Sequence, residues 1–380
     1  MLREREELGA WLRLLITPGI GPETARRLLA ALGPPEAIWA QSPGAWQRVV
    51  GARTAQAMAV EPEGWRAQLA AHWRWLQADE AQHAIVALGD PDYPAPLLET
   101  ADPPCLLYAM GRIGQLRHLQ AERALAIVGS RNPTPQGRLN AQAMAHALAQ
   151  AGLCIVSGLA LGVDGAAHEG ALQAAVEGAR AGTLATIAVV GTGLDRVYPR
   201  QHLALAQRIA ERGLLLSEYP LGTPPLAVHF PQRNRLIAGL SQGTLVVEAA
   251  LGSGSLITAR LALEAGREVF AMPGSVHAPQ SKGCHALIRQ GAKLVESAQH
   301  VLEELRLPET LARRPAAPAA DAAEAPALLA LLGHEPVGLD ALQARCGLAT
   351  AQLQAELLTL ELQGQVARLP GGLFQRLVRS

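Results

Sequence analysis

Arginines and small polar residues recur at positions where they could hold phosphate groups. The segment Arg233-Asn234-Arg235 starts an apolar, helix-like stretch, and Gly129-Ser130-Arg131 follows an apolar run. A guanidinium group presents paired N–H donors that match two oxygens of one phosphate. A lone pair of arginines is more often a solvated surface feature, but the neighbouring glycine- and serine-rich loops favour phosphate contact. We therefore predict that Arg131, Arg233 and Arg235 bind phosphates.

The elements that would position these residues are apolar, strand-like runs that alternate with amphipathic helices. Seven such runs begin near residues 124, 153, 186, 213, 244, 268 and 292. This alternation predicts an α/β fold whose parallel sheet is covered by helices on both faces. Ligands of such sheets bind beyond the carboxyl ends of the strands.

Six loops that follow these runs are rich in glycine, serine and arginine, and they would meet at one edge of the sheet. Small residues let the backbone approach a ligand closely, and exposed backbone amides attract anions. We therefore predict a phosphate-binding edge. Besides the three arginines, the residues predicted to contact a ligand at this edge are Gly129, Ser130, Asn234, Gly254 and Ser255.

The loop at residues 191–200 adds an aromatic ring and two more arginines. Tyr198 is either a platform on which a base stacks or a residue that packs in the turn beside Pro199. Arg196 and Arg200 stand on either side of it and are predicted to assist in phosphate binding.

Missing motifs exclude several kinds of site. No G-x-G-x-x-G follows the first run and no G-x-x-x-x-G-K-[ST] is present, which argues against a dinucleotide cofactor and a P-loop ATPase. We expect no cofactor. Asp164 and His168 are spaced to share a helix face, but a third ligand is missing, so Asp164 is interpreted as a helix N-cap and no metal is predicted. Ser255 does not lie in the nucleophile-elbow motif of serine hydrolases, which argues against that class of enzyme.

The composition narrows the class of protein. The 380 residues carry 33 basic and 33 acidic side chains, which excludes a polycation but permits a local basic groove. Residues 124–306 contain 15 basic and 12 acidic residues, whereas residues 307–380 contain 6 and 7. A secretory signal, an apolar run of about 18 residues and a C-x-x-C pair are all missing from the sequence. We expect a soluble, cytoplasmic protein that does not bind membranes.

Two further units flank the sheet. All six tryptophans lie in helical segments within the first 75 residues. The Gly-x-Gly turn at residues 17–25 is either a helix-hairpin-helix that binds DNA phosphate or, as we favour, a tight turn in a helical bundle.

Three helix-like segments and a hairpin outline a C-terminal winged helix. The predicted organisation is a helical (SAM or helix-hairpin-helix-like) domain at 1–80, the sheet domain at 81–306, a linker at 307–326 and the winged helix at 327–380.

Seven segments carry a family resemblance: GSRNPTPQG, SGLALGVDGAAH, TIAVVGTGLDRVYP, SEYPLGTPP, FPQRNRLIAGLS, VVEAALGSGSLITARLALEAGREVFAMPG and GCHALIRQGAKLV. In order and spacing they resemble the DprA/Smf family of bacterial DNA-processing proteins across most of residues 124–295. The family usually has Tyr where Gln136 stands and Asn where His202 stands, and the stretch at residues 174–184 is longer than usual.

This resemblance implies an extended Rossmann fold that binds single-stranded DNA without hydrolysing nucleotide. It also implies a homodimer that protects incoming DNA during natural transformation and loads the RecA recombinase. The last strand-like run, near Leu294, is expected at an edge of the sheet, where an uncovered strand invites association. We place the dimer interface at His285, Ile288 and Leu294; the alternative is that a helix of the same chain covers this edge.

A rival hypothesis is an enzyme. Ser241-Gln242-Gly243-Thr244 with Glu248 resembles the P-G-G-x-G-T-x-x-E signature of the lysine-decarboxylase-like (LOG) nucleotide phosphoribohydrolases. Here the leading Pro-Gly is replaced and the acid stands one position later. We therefore interpret Glu248 as a residue that orients the glycine- and serine-rich loop rather than as a catalyst.

Overall fold

A computed structural model describes residues 1–178, 184–306, 327–333, 336–369 and 371–377. The predicted linker at 307–326 and part of the stretch at 174–184 lie outside the described residues. So does Pro370.

The N-terminal part is a bundle of short helices. They are α1 (Arg5–Ile16), α2 (Pro22–Leu32), α3 (Pro35–Trp39), α4 (Pro43–Val50), α5 (Ala52–Met58) and α6 (Trp65–Ala78). Trp11 and Trp46 are buried, and the Trp46 indole donates to the Ile38 carbonyl at 2.7 Å. Trp11 and Trp46 therefore pack in the core of the bundle, and the other four tryptophans are partly buried against it.

The central sheet has nine strands. They are β1 (His83–Ala87), β2 (Leu106–Gly111), β3 (Ala124–Val128), β4 (Cys154–Ser157), β5 (Thr186–Val189), β6 (Leu214–Ser217), β7 (Gly243–Val246), β8 (Glu268–Ala271) and β9 (Lys293–Leu294). Their order is β1-β2-β6-β5-β4-β3-β7-β8-β9, and β3 to β9 are parallel to one another. The seven predicted strands are confirmed. The antiparallel strands β1 and β2, which extend the sheet beyond β6, were not predicted.

Helices cover both faces of this sheet, which confirms the predicted α/β class. They are α7 (Ala95–Leu98), α8 (Pro135–Gln150), α9 (Val163–Val176), α10 (Leu203–Arg212), α11 (His229–Gly239), α12 (Ser255–Glu264), α13 (Lys282–Arg289) and α14 (Ala298–Glu304). Successive strand residues point to opposite faces. Leu125 and Ile127 of β3 pack in the cluster with α8, α9 and α14. Ala126 and Val128 pack in the cluster with α11, α12 and α13.

The C-terminal part has a hydrophobic cluster of its own. It contains α15 (Ala327–Leu332), β10 (Val337–Gly338), α16 (Leu339–Cys346), α17 (Thr350–Leu362), β11 (Val366–Leu369) and β12 (Leu373–Arg376). The strands pair in the order β10-β12-β11, and all pairs are antiparallel. Three helices with this small sheet form the predicted winged helix.

The strand that carries Leu294 lies at an edge of the sheet, and Leu294 is exposed. Ile288 of α13 is half-buried against the α11–α13 cluster, and a ring nitrogen of His285 lies 3.0 Å from the Gly274 carbonyl. The placement of a dimer interface on these residues stays a prediction. Among the described residues, no helix is long and apolar enough to cross a membrane.

Candidate nucleic-acid interface

A cavity of about 740 Å³ opens at the carboxyl ends of the parallel strands. Its walls are the loops after β3, β4, β5, β6 and β7, one side of α11 and the start of α12. We call this cavity the cleft. Eight predicted residues line it: Gly129, Ser130, Arg131, Tyr198, Arg233, Asn234, Gly254 and Ser255. Three predicted residues do not line it: Arg196, Arg200 and Arg235.

The mouth of the cleft combines one exposed guanidinium group with two aromatic rings. The Arg131 guanidinium lies over the Phe230 ring, 5.5 Å from its centroid. The Phe230 and Tyr198 ring centroids are 5.7 Å apart, and Tyr198 is 48% exposed. Arg131 is exposed and forms no salt bridge with any described residue. Its charge is therefore available to an anion, and the neighbouring rings offer π-faces.

The loop that carries Arg131 is fixed by Glu248. The Glu248 carboxylate accepts from the Thr134 backbone N–H at 2.9 Å and from the Thr134 hydroxyl at 2.6 Å. The Ser130 N–H donates to the Glu248 carbonyl at 2.6 Å. Burial raises the pKa of Glu248, and the two bonds from Thr134 oppose that shift. Glu248 thus fixes the loop that carries Arg131, whereas the sequence suggested that it orients the glycine- and serine-rich loop at residues 252–255.

Glycines permit close approach of the loops at the base of the cleft. A Cβ at Gly129 would lie 2.7 Å from the Val163 side chain and 2.8 Å from the Glu248 carbonyl. Gly162 has a φ of +83°, and a Cβ there would lie 2.4 Å from the Ser130 carbonyl. Any larger residue at either position would push the Arg131 loop away from the start of α9.

Arg233 lines the cleft but is only 4% exposed. Its guanidinium donates to the Gly158 carbonyl at 2.6 Å and also to the Val189 carbonyl, so it joins the loop after β4 to the end of β5. Burial lowers the pKa of Arg233 to about 10, a shift that nearby Asp164 opposes. The Nη1 of this cation thus contacts the protein's own backbone, and its Nε contacts the Asn234 side chain.

Asp164 and His168 both serve the fold. Asp164 lies in the first turn of α9, and its carboxylate accepts from the Gly158 and Ala160 N–H groups at 3.0 and 3.4 Å. Burial raises the pKa of Asp164, and Arg233 opposes this shift. His168 is fully buried with a ring nitrogen 2.7 Å from the Thr186 hydroxyl, and burial lowers its pKa to about 3. Gly162 occupies the N-cap position that the sequence assigned to Asp164, and Asp164 stands two residues later.

Asn234 connects α11 to the loop after β7. Its side-chain amide donates to the Gly254 carbonyl at 3.4 Å and accepts from the Arg233 Nε at 3.2 Å. In the same loop, the hydroxyl groups of Ser253 and Ser255 are 2.7 Å apart. Asn234, Gly254 and Ser255 therefore form one continuous wall of the cleft.

Arg235 lies on the other side of α11. It forms salt bridges with Glu218 and with Asp102, the latter at 3.3 Å, and it borders a separate cavity beside α2. Burial raises the pKa of Glu218, and Arg235 opposes that shift. The helical period explains this placement, because neighbouring positions on a helix face different directions. Arg235 is thus separated from Arg131 and Arg233.

The two predicted helper arginines lie outside the cleft. Arg196 forms a salt bridge of 3.1 Å with the adjacent Asp195 and is 40% exposed. Arg200 is exposed in a short turn that precedes α10.

Sequence reasoning missed Phe230 at the mouth and the burial of Arg233. Phe230 is one of three phenylalanines and stands three residues before Arg233, a signal that was present in the sequence. The burial of Arg233 depends on two loops that are distant in sequence. Its partners Gly158 and Val189 are 75 and 44 residues away.

Two family models match the chain. One, described as DNA recombination-mediator protein A, matches residues 84–306. The other, described as the DprA winged helix domain, matches residues 312–372. Together they include the whole cleft and most of the C-terminal part.

Curated relatives and solved structures agree with these matches. The chain is 43% identical to protein Smf of Escherichia coli over 80% of each chain. It is 35% identical to protein Smf of Synechocystis over 97% of this chain and 99% of the relative. The crystal structure of DNA processing protein A from Streptococcus pneumoniae covers 80% of this chain and 99% of its own length, with a TM-score of 0.65 and 36% identity.

A second solved structure concerns the single-stranded DNA binding mode of DNA processing protein A from Helicobacter pylori. It covers 59% of this chain and 96% of its own length, with a TM-score of 0.51 and 33% identity.

Proposed function

This chain belongs to the DprA/Smf family of DNA recombination mediators, and from that membership we propose that its cleft binds single-stranded DNA. The observation that carries the proposal is the mouth of the cleft, where exposed Arg131 lies beside the Phe230 and Tyr198 rings. A guanidinium group binds phosphate, and an aromatic ring stacks on any base. In a duplex the bases are already stacked on one another, so these rings favour a single strand.

The loops of the cleft complete the proposed site. Arg131 contacts phosphate directly, with donors from Gly129, Ser130, Gly254 and Ser255 along the walls. Arg233 and Asn234 hold the loops in place. Arg196 and Arg200 act only on a strand that extends past Tyr198, since neither lines the cleft. The solved structure from Helicobacter pylori, which concerns single-stranded DNA binding, supports this assignment.

The wider role that we propose follows from the family. The chain mediates recombination by protecting incoming single strands during natural transformation and by loading the RecA recombinase. It acts in the cytoplasm as a homodimer, with the interface at His285, Ile288 and Leu294. The exposed edge strand at Leu294 supports this interface. Light scattering on Ile288→Glu tests it: a folded monomer is expected, and an unchanged dimer would refute the placement.

We propose that the cleft has no hydrolytic activity. The LOG-like alternative is not favoured, because the chain belongs to a family of DNA-binding mediators that are not known as enzymes. The Glu248 carboxylate, which that alternative would need as a catalyst, accepts two hydrogen bonds from Thr134. Incubation with AMP should therefore release no adenine, and incubation with ATP and DNA should release no phosphate above background.

The decisive experiment compares a labelled single-stranded oligonucleotide with its duplex by fluorescence anisotropy over a range of salt concentrations. We expect tighter binding of the single strand and a steep loss of affinity with salt, as phosphate neutralisation requires. Arg131→Ala should weaken binding by about 1–3 kcal/mol, and Phe230→Leu by a similar amount through lost stacking.

The matched control is Arg74→Ala, which removes an exposed arginine from α6 of the N-terminal bundle. This control should bind the single strand as the wild type does. Equal affinity for duplex and single strand, or equal losses for Arg131→Ala and Arg74→Ala, would contradict the proposed site.

A further inference from the structure

A second cavity, of about 330 Å³, lies at the opposite end of the sheet from the cleft. One wall is the segment at residues 115–123, which precedes β3. The other wall includes Ala124 at the start of β3, Cys154 at the start of β4 and Ile187 of β5. We call this cavity the basal pocket. Because it borders the amino ends of strands whose carboxyl ends form the cleft, a ligand here would not overlap the cleft.

The rim of the basal pocket is cationic. Arg117, His118 and Arg123 line it and are exposed, and the Arg117 Nε lies 3.1 Å from a ring nitrogen of His118. Within the described part of the chain, no acidic side chain lines this pocket and none of the three forms a salt bridge. Other arginines of the sheet domain, such as Arg208 and Arg267, are paired with glutamates. The pocket therefore presents uncompensated positive charge.

The floor of the basal pocket is aliphatic. Leu184, Ile187 and Leu240 are at most 6% exposed, and half-buried Leu119 and Cys154 adjoin them. None of its described lining residues is a phenylalanine, tyrosine or tryptophan, in contrast to the cleft with Tyr198 and Phe230. An aliphatic floor can bury apolar side chains, but it provides no ring on which a nucleobase could stack.

A cationic rim around an aliphatic floor is complementary to carboxylates next to apolar side chains. From this complementarity we propose that the basal pocket docks an acidic–apolar peptide segment of a partner protein. The carboxylates of the segment contact Arg117 and Arg123 at the rim, and an aliphatic side chain enters the floor. This docking leaves the cleft free, so the chain can hold a DNA strand and a protein partner at the same time. The inference does not depend on the proposed DNA binding.

The test uses a fluorescein-labelled peptide in which a run of aspartates precedes a run of leucines. Two matched peptides replace the aspartates by asparagines or the leucines by serines. We expect the first peptide to bind the full-length chain, and each replacement to weaken binding by about tenfold or more, since both halves of the pocket contribute. Failure of the first peptide to bind, or equal binding of the asparagine peptide, would overturn the proposal.

Substitutions in the chain test whether the peptide binds at the basal pocket. The double variant Arg117→Glu with Arg123→Glu should weaken peptide binding by about tenfold or more, because it places like charges in contact. Arg112→Glu is the control, since Arg112 is exposed three residues before this segment but does not line the pocket. It should change the affinity by less than about twofold. A loss for Arg112→Glu as large as for the double variant would show non-specific attraction and overturn the site.

A second readout separates this proposal from DNA binding. The double variant should bind a single-stranded oligonucleotide as tightly as the wild type, which also shows that it is folded. If the double variant loses oligonucleotide binding in step with peptide binding, or if oligonucleotide displaces the peptide from Arg131→Ala, the pocket takes nucleic acid and the peptide assignment is wrong. If the wild type binds the peptide but no oligonucleotide, only the proposed function fails.

Discussion

The mouth and the base of the cleft both contain an arginine, but the two arginines differ in what their charges contact. At the mouth, Arg131 is exposed beside the Phe230 ring. At the base, Arg233 is 4% exposed and donates to two backbone carbonyls. The first can bind a ligand at little structural cost, whereas the second already has partners that the fold requires. An arginine near a site is thus a candidate ligand only when its donors are not used by the fold.

The same distinction applies beyond the cleft. Arg235 forms salt bridges with Glu218 and Asp102. In the winged helix, Arg345 and Arg376 donate to the Leu331 and Leu329 carbonyls in α15. A count of charges along the sequence treats all these arginines alike. The following experiments test whether their contacts separate them into binding and structural groups.

The largest expected effect is on stability, for Arg233→Met. Removal of this cation leaves buried Asp164 without its opposing charge and the Gly158 and Val189 carbonyls without a donor. The free energy of unfolding should fall by about 3 kcal/mol in urea titrations. Arg131→Met, the matched control at the mouth, should change it by less than about 0.5 kcal/mol, as at most exposed sites.

A double variant tests the cause of this loss. Arg233→Met combined with Asp164→Asn removes both charges, so part of the lost stability should return. If Arg233→Met is as stable as the wild type but binds no DNA, the two arginines belong to one binding group and the distinction between mouth and base fails.

The separation of these two arginines shows the limits of sequence analysis. The strands β3 to β9 could be predicted because their apolar runs are bounded by glycine-rich loops, and the loop positions then placed Arg131 at the cleft. The strands β1 and β2 could not be placed, because short apolar runs such as residues 83–87 do not reveal their pairing partners. The burial of Arg233 and the salt bridges of Arg235 arise only when distant segments meet. The boundaries at residues 80, 306 and 326 stay predictions.

A smaller effect should appear in the pH dependence of stability, through buried His168 of α9. Its pKa is about 3 in the folded chain and 6.5 in its ordinary state, so the unfolded chain takes up a proton first as the pH falls. The contribution of His168 is complete above pH 6.5 and is lost as the pH falls from 6.5 towards 3, by up to about 1.4 kcal/mol per pH unit.

Urea titrations between pH 7 and pH 5 measure how steeply the free energy of unfolding changes with pH, with His168→Gln as the control. Burial raises the pKa values of Asp164 and Glu248, so protonation of these two carboxyl groups increases stability as the pH falls, opposite to the effect of His168. Both groups are present in the wild type and in the control. The difference between wild type and control therefore isolates His168. Equal slopes would mean that the surroundings of His168 are open enough to hold its charged form.

Arg235→Ala tests the face of α11 that points away from the cleft. The sequence predicted that Arg235 contributes to DNA binding as Arg131 does, whereas its contacts predict a structural effect. We expect a loss of stability of about 1 kcal/mol, because Glu218 loses its buried partner. The affinity for a single strand should change by less than about twofold. A loss of affinity as large as that of Arg131→Ala would restore the original prediction and extend the site around α11.

Removal of the winged helix, residues 327–380, is also expected to have only a small effect on DNA binding. Helix α17 occupies the place of a recognition helix, but it contains no arginine or lysine and carries Glu356 and Glu361. Phosphate contacts need cations, and the exposed apolar side chains on this helix, Leu358 and Leu362, cannot supply them. The domain packs around its own hydrophobic cluster, so its removal exposes little of the sheet domain's core. Single-strand affinity should therefore fall by less than about threefold, equivalent to about 0.6 kcal/mol. The slope of log affinity against log salt concentration should not change, because the number of neutralised phosphates stays the same. A shallower slope in the truncated chain would show that arginines of the winged helix contact DNA, and the cleft would then hold only part of the binding site.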